Sequence, residues 1–478
     1  MGILDHEFDM TQPEQPAPQS TAAPKRKRNY IWITVVVVLV LIASFLGGYF
    51  VAVSSGIQSD MPMLVQAYRL LKQYYIEDIS WEEFQVYATA AMLGQVDPFT
   101  GLYTLKPRAS RGIRMEQSVA QVNPLRYEIC VASVTPGSPA AQAKAKRRFY
   151  ADGSVQDMAS QNVPLQRGDV IGYVAPYAVE SPQPFLESDS TLYDMTNAQI
   201  SYLQECISSA QEYLTLYIRR TVDGKSVLDE YVIASAMTTS VAAQYYSPSE
   251  IGQTDTALIT FDEFSEQGLA DYLRCLQEMV NDPEKPTHLI LDLRANGGGS
   301  TLVCSAVAYT LLRGAPTQHL GVLRMELNTG NGKFAEQMLY AESSITMEEQ
   351  TFSDLPNMHQ LIPNFSVAIL CGGSTASASE ALIGALSCYD NVPYIGTRTY
   401  GKGVAQRTFR LGDYDLYITN GYYYVPTYQA GGSVVFEKNI HQVGFTPQGG
   451  CYVEEKRVLP YDQDACVKRA AEILAQNA

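Results

Sequence analysis

Residues 367–380, with the sequence VAILCGGSTASASE, combine an apolar strand, a glycine turn and the start of a helix. The residues 367–371 are apolar and fit a buried strand, Gly372 and Gly373 form the turn, and a helix is predicted to begin near Ala376. A strand followed at once by a turn and a helix is the repeating unit of α/β layers. The segment therefore predicts an α/β core in this part of the chain.

The same pattern continues on both sides of this segment, from the middle of the chain to its end. Apolar strands are predicted at 257–261 and 288–293, and the second of them runs into a glycine turn at 297–299. Apolar side chains recur at helical spacing between the two strands, and a last helix is predicted at 464–475. We therefore predict a mixed α/β fold.

The region before this core has the pattern of a small β-rich domain. Strands are predicted at 127–134 and 170–174, and a hairpin joins strands at 214–219 and 227–233 around an Asp-Gly turn at 223–224. A chain of 478 residues is long enough for two or three domains. The change of pattern marks a boundary between two of them.

The N-terminal part contains a predicted membrane anchor. The tail 1–29 is polar, predicted to be disordered, and ends in four basic residues. The apolar run 31–53 would rise roughly 34 Å as a helix, which is enough to span a bilayer. Because basic residues stay on the cytoplasmic side, 30–54 is predicted to be a single-pass signal anchor of the cell membrane, with the remaining chain extracytoplasmic. A signal peptide cleaved near Ser54 is the alternative.

Charge and composition exclude several classes of function. The chain has 34 Lys and Arg against 50 Asp and Glu, and its net charge of −16 disfavours a general nucleic-acid binder, which needs a basic face. The five His and eight Cys lack the spacing of a metal site, so no metal is expected. An extracytoplasmic location permits disulfides, and Cys451 with Cys466 is a candidate pair.

The residues after the second glycine turn are candidates for nucleophilic chemistry. Ser374, Ser377 and Ser379 each fit a helix N-cap or a nucleophile presented after a buried strand. Lys402 lies twenty-five residues after Ser377, between two glycines, and Gln406 follows it. A lysine can remove a hydroxyl proton when burial favours its neutral form. On the residues alone the choice among the serines stays open, and Lys402 also fits a solvated loop.

Five motifs together resemble those of the C-terminal processing peptidases, also called tail-specific proteases, which are Ser–Lys serine endopeptidases with a PDZ domain. Three motifs of the peptidase core occur in the family's order, with its Ser-to-Lys spacing. Two others precede the core, one before the PDZ domain and one within it. The motifs are LDLRANGGG at 291–299, TASASE at 375–380, TYGKGVAQ at 399–406, DPFT at 97–100, and TPGSPA at 135–140 with GDVI at 168–171.

The resemblance implies a serine-type endopeptidase with a core of the ClpP/crotonase-like type and without metal or organic cofactor. The family's nucleophile matches Ser377, its general base matches Lys402, and the residue that orients the lysine matches Gln406. The mechanism implied is acyl transfer from a peptide to Ser377, followed by hydrolysis.

Backbone groups near the nucleophile would then hold the oxyanion. The resemblance assigns this role to the N–H of Ala378 and to that of Gly299, or else Gly298. The side chains of Arg294 and Asn296 are expected to brace the glycine turn without contacting substrate.

The resemblance also implies a domain order. The predicted segments are a cytoplasmic tail (1–29), the anchor (30–54), a helical segment (58–105), a PDZ domain (106–235) and the Ser–Lys peptidase core (240–478). The PDZ pattern departs from the family by an insertion at 141–167, whose basic residues fit either a solvated loop or a partner surface. The peptide-binding loop is placed at Gly112 and Ile113, where two flanking arginines replace the family's small apolar residues.

The expected partners are a protein or peptide substrate and the membrane, and a homodimer is compatible with the sequence. In this interpretation the PDZ domain either guides substrate tails or gates access to the active site. A catalytically inactive, membrane-tethered PDZ module that binds peptides is the alternative function. An extracytoplasmic scaffold that uses the acidic surface is a further one.

Overall fold

The computed structural model describes most of the chain after residue 64. The described residues are 65–70, 80–104, 111–119, 127–175, 213–234, 241–330, 333–348, 350–429 and 431–476. The predicted anchor at 30–54 lies outside them, and within these ranges no helix is long and apolar enough to cross a membrane. The chain divides into two compact units, 1–92 and 93–478.

The first unit is helical where it is described. Residues 65–70 are helical, and helix α1 covers Trp81–Leu93, within the segment 58–105 that was predicted to be helical. Ser80 and Glu83 form a capping box, in which each backbone N–H donates to the other's side chain, at 2.9 and 3.1 Å. The rings of Tyr68, Trp81 and Phe84 pack on one another.

The second unit contains twenty strands and six helices among its described residues. The strands are β1 (Gly101–Thr104), β2 (Ile113–Val119), β3 (Tyr127–Val134), β4 (Arg147–Tyr150), β5 (Val155–Asp157), β6 (Val170–Ala175), β7 (Tyr213–Val222), β8 (Lys225–Ala234), β9 (Ala243–Tyr246), β10 (Thr256–Phe261), β11 (His288–Asp292), β12 (Gly321–Gly330), β13 (Lys333–Tyr340), β14 (Ile345–Thr346), β15 (Thr351–Phe352), β16 (Ser366–Cys371), β17 (Tyr394–Gly396), β18 (Val404–Leu411), β19 (Tyr414–Tyr428) and β20 (Val434–Asn439). The helices are α2 (Pro139–Gln142), α3 (Glu266–Asn281), α4 (Thr301–Leu311), α5 (Met358–Leu361), α6 (Ala378–Asp390) and α7 (Ala465–Gln476), with 3₁₀ turns at Ser249–Ile251 and Gly449–Cys451.

Seven strands near the start of the second unit form an antiparallel sheet in the order β2-β3-β6-β7-β8-β4-β5. Alternate side chains of β3, β7 and β8, among them Val131, Leu216 and Tyr231, form its apolar core. The predicted strands 127–134 and 170–174 and the predicted hairpin are confirmed. The assignment of this sheet to a PDZ domain stays a prediction.

The insertion at 141–167 is part of this sheet. Its residues form β4 and β5, and β4 pairs with β8. Arg148 Nε donates to Asp229 Oδ1 at 2.6 Å, and Arg147 forms an ion pair with Glu230. The interpretation as a solvated loop is therefore wrong, because the two arginine side chains meet buried carboxylates on a strand eighty residues away, which local sequence cannot reveal.

The α/β core is a five-stranded sheet in the order β17-β16-β11-β10-β9, parallel except for β9. Helices α3, α4 and α6 cover one face, which includes Leu289 and Leu291, and α7 covers the other, which includes Ile290 and Leu370. Strands buried on both faces produce continuous apolar runs in sequence. The strands predicted at 257–261, 288–293 and 367–371, and the mixed α/β class, are confirmed.

A second sheet of this region is antiparallel and was not predicted. Its order is β1-β19-β12-β13, and β18 and β20 also pair with β19. The pairing of β1 with β19 brings the turn that precedes Gly101 next to the start of β18. Two distant parts of the chain therefore meet at this sheet.

The last predicted helix is confirmed as α7. The candidate disulfide at its start is not formed, since Cys451 and Cys466 are both free thiols. Cys466 Sγ is buried and points to the carbonyl oxygen of Val453, 3.7 Å away.

Candidate active site

Ser377 follows β16 and occupies the N-cap position of α6. Its backbone has φ 60° and ψ −118°, and such a conformation costs a non-glycine residue about 1–3 kcal/mol. The preceding turn is fixed by the Thr375 hydroxyl, which accepts from Gly372 N at 2.9 Å and donates to Leu293 O at 2.8 Å. The strained turn places the Ser377 side chain at the carboxyl end of the parallel sheet.

The structure separates the three serines that the sequence left open. Ser379 is fully buried and donates its hydroxyl to Asn296 O at 3.1 Å. Ser374 is exposed and lines a smaller cavity on the other side of the turn. Ser377 lines a larger cavity together with Lys402. Of the three hydroxyl groups, that of Ser377 therefore shares a cavity with the lysine.

The Glu380 carboxylate joins the serine turn to the lysine loop. It is fully buried and accepts from Ser377 N at 3.0 Å, Thr399 Oγ1 at 2.5 Å, Gly401 N at 2.8 Å and Lys402 N at 2.8 Å. Hydrogen bonds to a charged acceptor are stronger than neutral ones. One side chain thus fixes the backbone on both sides of the cavity.

The Lys402 amine is fixed in position and has a lowered pKa, which are the two properties that a lysine base needs. Its Nζ donates to Gln406 Oε1 at 2.5 Å and lies 5.1 Å from the centre of the Phe99 ring. Burial lowers the pKa of Lys402 below its ordinary value, although the charge of Asp97 acts in the opposite direction. A larger fraction of the amine is therefore neutral than in an exposed lysine.

The DPFT turn reaches the site, which the sequence analysis did not foresee. Phe99 O accepts from Gln406 Nε2 at 2.7 Å, so the turn anchors the residue that holds the lysine. Asp97 shapes the turn by accepting from Phe99 N at 2.7 Å and from Thr100 N at 2.8 Å. Burial tends to raise the pKa of Asp97, but these and further hydrogen bonds bring it below its ordinary value. The DPFT motif was visible in the sequence, but it was assigned only to the segment before the PDZ domain.

The glycine turn after β11 faces Ser377. A Cβ added to Gly298 would lie 2.6 Å from Ser377 Cβ and 3.1 Å from Ala378 N, so the two turns are in close contact. The Gly298 N–H already donates to Asn296 Oδ1 at 2.8 Å. Of the two glycines predicted as alternative oxyanion donors, Gly298 is therefore already engaged in a hydrogen bond within its own turn. Ala378 N begins α6, where backbone N–H groups lack intrahelical partners.

Arg294 and Asn296 brace this turn. Asn296 Nδ2 donates to Phe261 O at 2.9 Å, and Asn296 O accepts from Ala376 N at 3.1 Å. Arg294 forms ion pairs of 2.7 Å with both Asp292 and Asp464. Both side chains are occupied by the protein itself, in agreement with the bracing role expected for them.

The cavity between the two turns has a volume of about 1240 Å³ and is open to solvent. Besides Ser377, Lys402 and Gln406 it is lined by apolar, polar and charged side chains, and by Tyr423, a residue that the sequence analysis missed. Within the described ranges, no group of three or more His, Cys, Asp or Glu is placed to hold a metal ion. The arrangement offers a hydroxyl group, an amine and backbone donors in one cleft.

The predicted peptide-binding residues lie elsewhere, at the start of β2. Gly112 has φ 69°, and a Cβ there would lie 2.1 Å from Ser138 Cβ. Its carbonyl accepts from Thr135 N at 2.7 Å, and the Ile113 side chain packs on the core of the seven-stranded sheet. The structure brings Ser377, Lys402, Gln406 and the oxyanion candidates together. Gly112 and Ile113 are not part of this group, since they lie at the start of β2 in the seven-stranded sheet.

Comparison with known proteins finds similarity to peptidases. Residues 255–441 match the model of peptidase family S41. A carboxy-terminal-processing protease of Bartonella bacilliformis is 26% identical over 43% of this chain and 40% of its own length. A carboxyl-terminal-processing protease of Synechocystis is 24% identical over 47% of this chain and 44% of its own length. The chain therefore matches less than half the length of either relative.

A crystal structure from Bacteroides fragilis, described as an S41 protease, has the same fold. It aligns with a TM-score of 0.50 at 19% identity and covers 86% of this chain and 97% of its own. At that identity the likeness concerns the fold alone. Together with the matched motifs, these findings identify residues 255–441 as a peptidase family S41 domain and confirm the resemblance to the C-terminal processing peptidases.

Proposed function

We propose that the protein is a membrane-anchored serine endopeptidase that cleaves extracytoplasmic proteins in or near their C-terminal tails. Ser377 is the nucleophile, Lys402 the general base and acid, and Gln406 the residue that orients the lysine. The observation that carries the proposal is the Lys402 amine, which is held by Gln406 with a lowered pKa in the cavity that Ser377 also lines.

The reaction begins when neutral Lys402 takes the hydroxyl proton of Ser377 and the Ser377 oxygen attacks the peptide carbonyl carbon. The tetrahedral intermediate collapses, the C–N bond breaks, and the Lys402 ammonium gives its proton to the leaving amine. Lys402 then takes a proton from water, whose oxygen attacks the ester carbon. Ser377 leaves with that proton, and the acid product is released.

Backbone donors stabilise the negative oxygen of both tetrahedral intermediates. The proposed donors are the N–H groups of Gly299 and Ala378, which lie on the two turns in contact at Gly298. Each donor of this kind contributes about 3–4 kcal/mol of transition-state stabilisation. The proposed nucleophile, base and oxyanion donors all belong to the chain, and water enters as the second substrate.

The seven-stranded sheet is proposed to be a PDZ domain that receives a substrate tail. β2 lies at an edge of the described sheet, and PDZ domains bind peptides as an added strand along such an edge. The apolar run 31–53 and the basic residues before it support the anchor and the extracytoplasmic location. The substrate would therefore be met close to the outer face of the membrane.

The test incubates the purified full-length chain, in detergent, with an unfolded protein such as casein. Wild type, Ser377→Ala and Lys402→Ala are compared, and the products are read by mass spectrometry. Ser374→Ala and Lys438→Ala are matched controls, because Ser374 lies in the same turn and the Lys438 amine, like that of Lys402, lies over an aromatic ring.

Cleavage by wild type and by both controls, with loss in the two site variants, is the expected result. Equal cleavage by all five proteins would overturn the assignment of nucleophile and base. If none of the five proteins cleaves casein but all still bind C-terminal peptides, the inactive PDZ module is favoured.

A further inference from the structure

A second cavity lies next to the loop that carries Lys402. Its walls come from the DPFT turn, the lysine loop, β19 and the loop after β20. It has a volume of about 430 Å³, and small-molecule sites measure about 300–1,000 Å³. Among the described residues, Val404 is the one that lines both this cavity and the cleft of Ser377. The second cavity, called the aromatic cavity below, is therefore distinct from the candidate active site.

Four rings form much of the wall of the aromatic cavity. The Phe99 ring meets those of Tyr400 and His441 edge to face, with 6.0 Å between centroids in both pairs. The His441 ring meets that of Tyr422 in the same way at 5.9 Å. Tyr400 and Tyr422 are 51% and 47% exposed, so their rings are accessible to a ligand. The faces of such rings are negatively polarised and attract cations.

Asp97 adds a full negative charge to the same wall. Its Oδ1 accepts from Phe99 N, Thr100 N and Thr419 Oγ1, whereas its Oδ2 accepts from Thr100 Oγ1 at 2.6 Å. Burial tends to raise the pKa of Asp97, but these hydrogen bonds bring it below its ordinary value, so the carboxylate stays charged. No Lys, Arg or His of the described residues forms an ion pair with it. Since a carboxylate oxygen can accept two hydrogen bonds, Oδ2 retains acceptor capacity.

We propose that the aromatic cavity is a second ligand site, which takes a small molecule with a guanidinium group and acts on Lys402 through Asp97. A guanidinium group is planar, so it stacks on aromatic rings while its N–H groups donate to a carboxylate. The wall offers both kinds of partner, and the charge of Asp97 is opposite to that of the ligand. A quaternary ammonium group would contact the rings but has no N–H to donate. The ligand class goes beyond the proposed function, whereas the action on Lys402 rests on it.

The wall of the aromatic cavity also supports the base. Phe99 O accepts from Gln406 Nε2 at 2.7 Å, and Gln406 in turn holds the Lys402 amine. Burial lowers the pKa of Lys402, and the charge of Asp97 opposes that effect. A cation bound beside Asp97 would offset this charge, so a larger fraction of the amine would be neutral. The bound ligand is therefore expected to speed the reaction of Ser377.

Asp97 is the charged group that connects the aromatic cavity with the base. Two other titratable groups contact Lys402 among the described residues. Glu380 accepts from Lys402 N at 2.8 Å, and the Tyr423 hydroxyl donates to Lys402 O. Neither of them lines the aromatic cavity, so a ligand there acts on Lys402 through Asp97.

Three variants separate the parts of the site. Tyr422→Val removes one ring, and valine is well suited to a strand. Tyr428→Val is the matched control, because Tyr428 lies in the same strand, is 56% exposed and does not line the aromatic cavity. Asp97→Asn removes the charge but keeps an oxygen that can accept from the turn.

The first test measures ligand binding to the full-length chain in detergent by ligand-observed NMR. The probe is n-butylguanidinium, and n-butylurea is its neutral analogue of similar shape. We expect the guanidinium to bind wild type about tenfold more tightly than the urea. Asp97→Asn and Tyr422→Val should each weaken guanidinium binding about tenfold, and Tyr428→Val should leave it unchanged.

Two binding results would overturn the ligand site. Equal guanidinium binding by all four proteins would mean a non-specific attraction to the acidic surface of the chain. A short arginine peptide that binds more than about tenfold tighter than n-butylguanidinium would mean that the cavity receives a side chain of a polypeptide instead of a small molecule.

The second test measures how fast a fluorophosphonate probe labels Ser377, with and without saturating n-butylguanidinium. The probe bonds to activated serine hydroxyls, and Ser377→Ala identifies the labelled residue. At a pH below the midpoint of Lys402, the ligand should speed labelling of wild type about threefold, which corresponds to half a pKa unit. Asp97→Asn should show no such response. Without ligand, Tyr422→Val should be labelled at the wild-type rate.

The two tests fail in different ways. Specific binding with an unchanged or slower labelling rate overturns the action on Lys402. The same acceleration in Asp97→Asn also overturns it, because the charge of Asp97 would then not be the connection. Absence of labelling in wild type without ligand overturns the proposed function, while the NMR result still decides whether the aromatic cavity takes a guanidinium group.

Discussion

The two sheets of the second unit that meet at the site hold their functional residues in different ways. The parallel sheet is buried on both faces, and Ser377 and Gly299 follow directly from its strands. The antiparallel sheet is largely exposed along β18, and the residues it supplies, Lys402 and Gln406, lie near the start of that strand. Packing of the buried strands, together with hydrogen bonds of Thr375 and Glu380, fixes the first set. Hydrogen bonds to Glu380, Tyr423 and Phe99 fix the second.

This contrast separates two kinds of positioning. A residue at the end of a buried parallel strand keeps its place as long as the core is intact. A residue at the start of a half-exposed strand depends on a few polar contacts, each of which can be removed by one substitution. The following substitutions change residues that are placed by the parallel sheet or residues that are placed by the antiparallel sheet.

The largest effect is expected from Lys402→Arg. Arginine keeps the positive charge and the hydrogen-bond donors but remains protonated at any accessible pH. If the neutral amine is the base, kcat/KM should fall about 10³-fold while the fold is retained. Lys438→Arg, at a lysine of β20 whose amine also lies over an aromatic ring, should retain activity. Loss of less than tenfold at Lys402 would mean that the base is another group.

Gly298→Ala tests the contact between the turns of the parallel sheet. The added Cβ would lie 2.6 Å from Ser377 Cβ and 2.9 Å from Ala376 O, at a φ of 108°. Because the backbone must move to accommodate the added Cβ, the rate at which a fluorophosphonate probe labels Ser377 should fall about 10²-fold. Gly373→Ala is the comparison, since a Cβ there meets nothing within 4 Å. Equal rates in the two variants would contradict the close packing.

The Glu380 carboxylate accepts four hydrogen bonds from the serine turn and the lysine loop. Glu380→Gln replaces one of its two oxygens by an amide nitrogen. The amide cannot accept at both positions, so buried N–H groups lose their partner. The free energy of unfolding should fall by about 1–3 kcal/mol, with a loss of activity of about tenfold. Denaturant unfolding measures the first quantity and peptide hydrolysis the second. Unchanged stability would show that the loops are held by other contacts.

The smallest effect is expected from Asp97→Asn, as a shift of the pH profile. Activity should rise with pH as Lys402 loses its proton, with a midpoint below the ordinary lysine pKa of 10.5. Asp97 favours the charged amine, so its neutralisation lowers the pKa of Lys402 further and moves the midpoint to lower pH. A shift of half a unit corresponds to about threefold in rate below the midpoint. A shift to higher pH would contradict the assigned base.

The parallel sheet was predictable from sequence because its strands are continuous apolar runs that end in glycine turns. The antiparallel sheet was not, since β19 is rich in tyrosine and only partly buried. The contact between Phe99 and Gln406 spans 307 residues, and no local pattern encodes it. Motif resemblance supplied Ser377, Lys402 and Gln406. Tyr423 lies outside these motifs, and only the folded arrangement places it at the site.

The anchoring of Gln406 by Phe99 has a consequence for the newly made chain. The hydrogen bond joins a residue near the start of the second unit to one near its end, and it forms only when β1 has paired with β19. Contacts of such long sequence separation form late, since the intervening chain must first close into a loop. A nascent or partly folded molecule holds Ser377 and Lys402 without their shared support. The support that Phe99 gives to Gln406, and through it to Lys402, is therefore complete only once the second unit has folded.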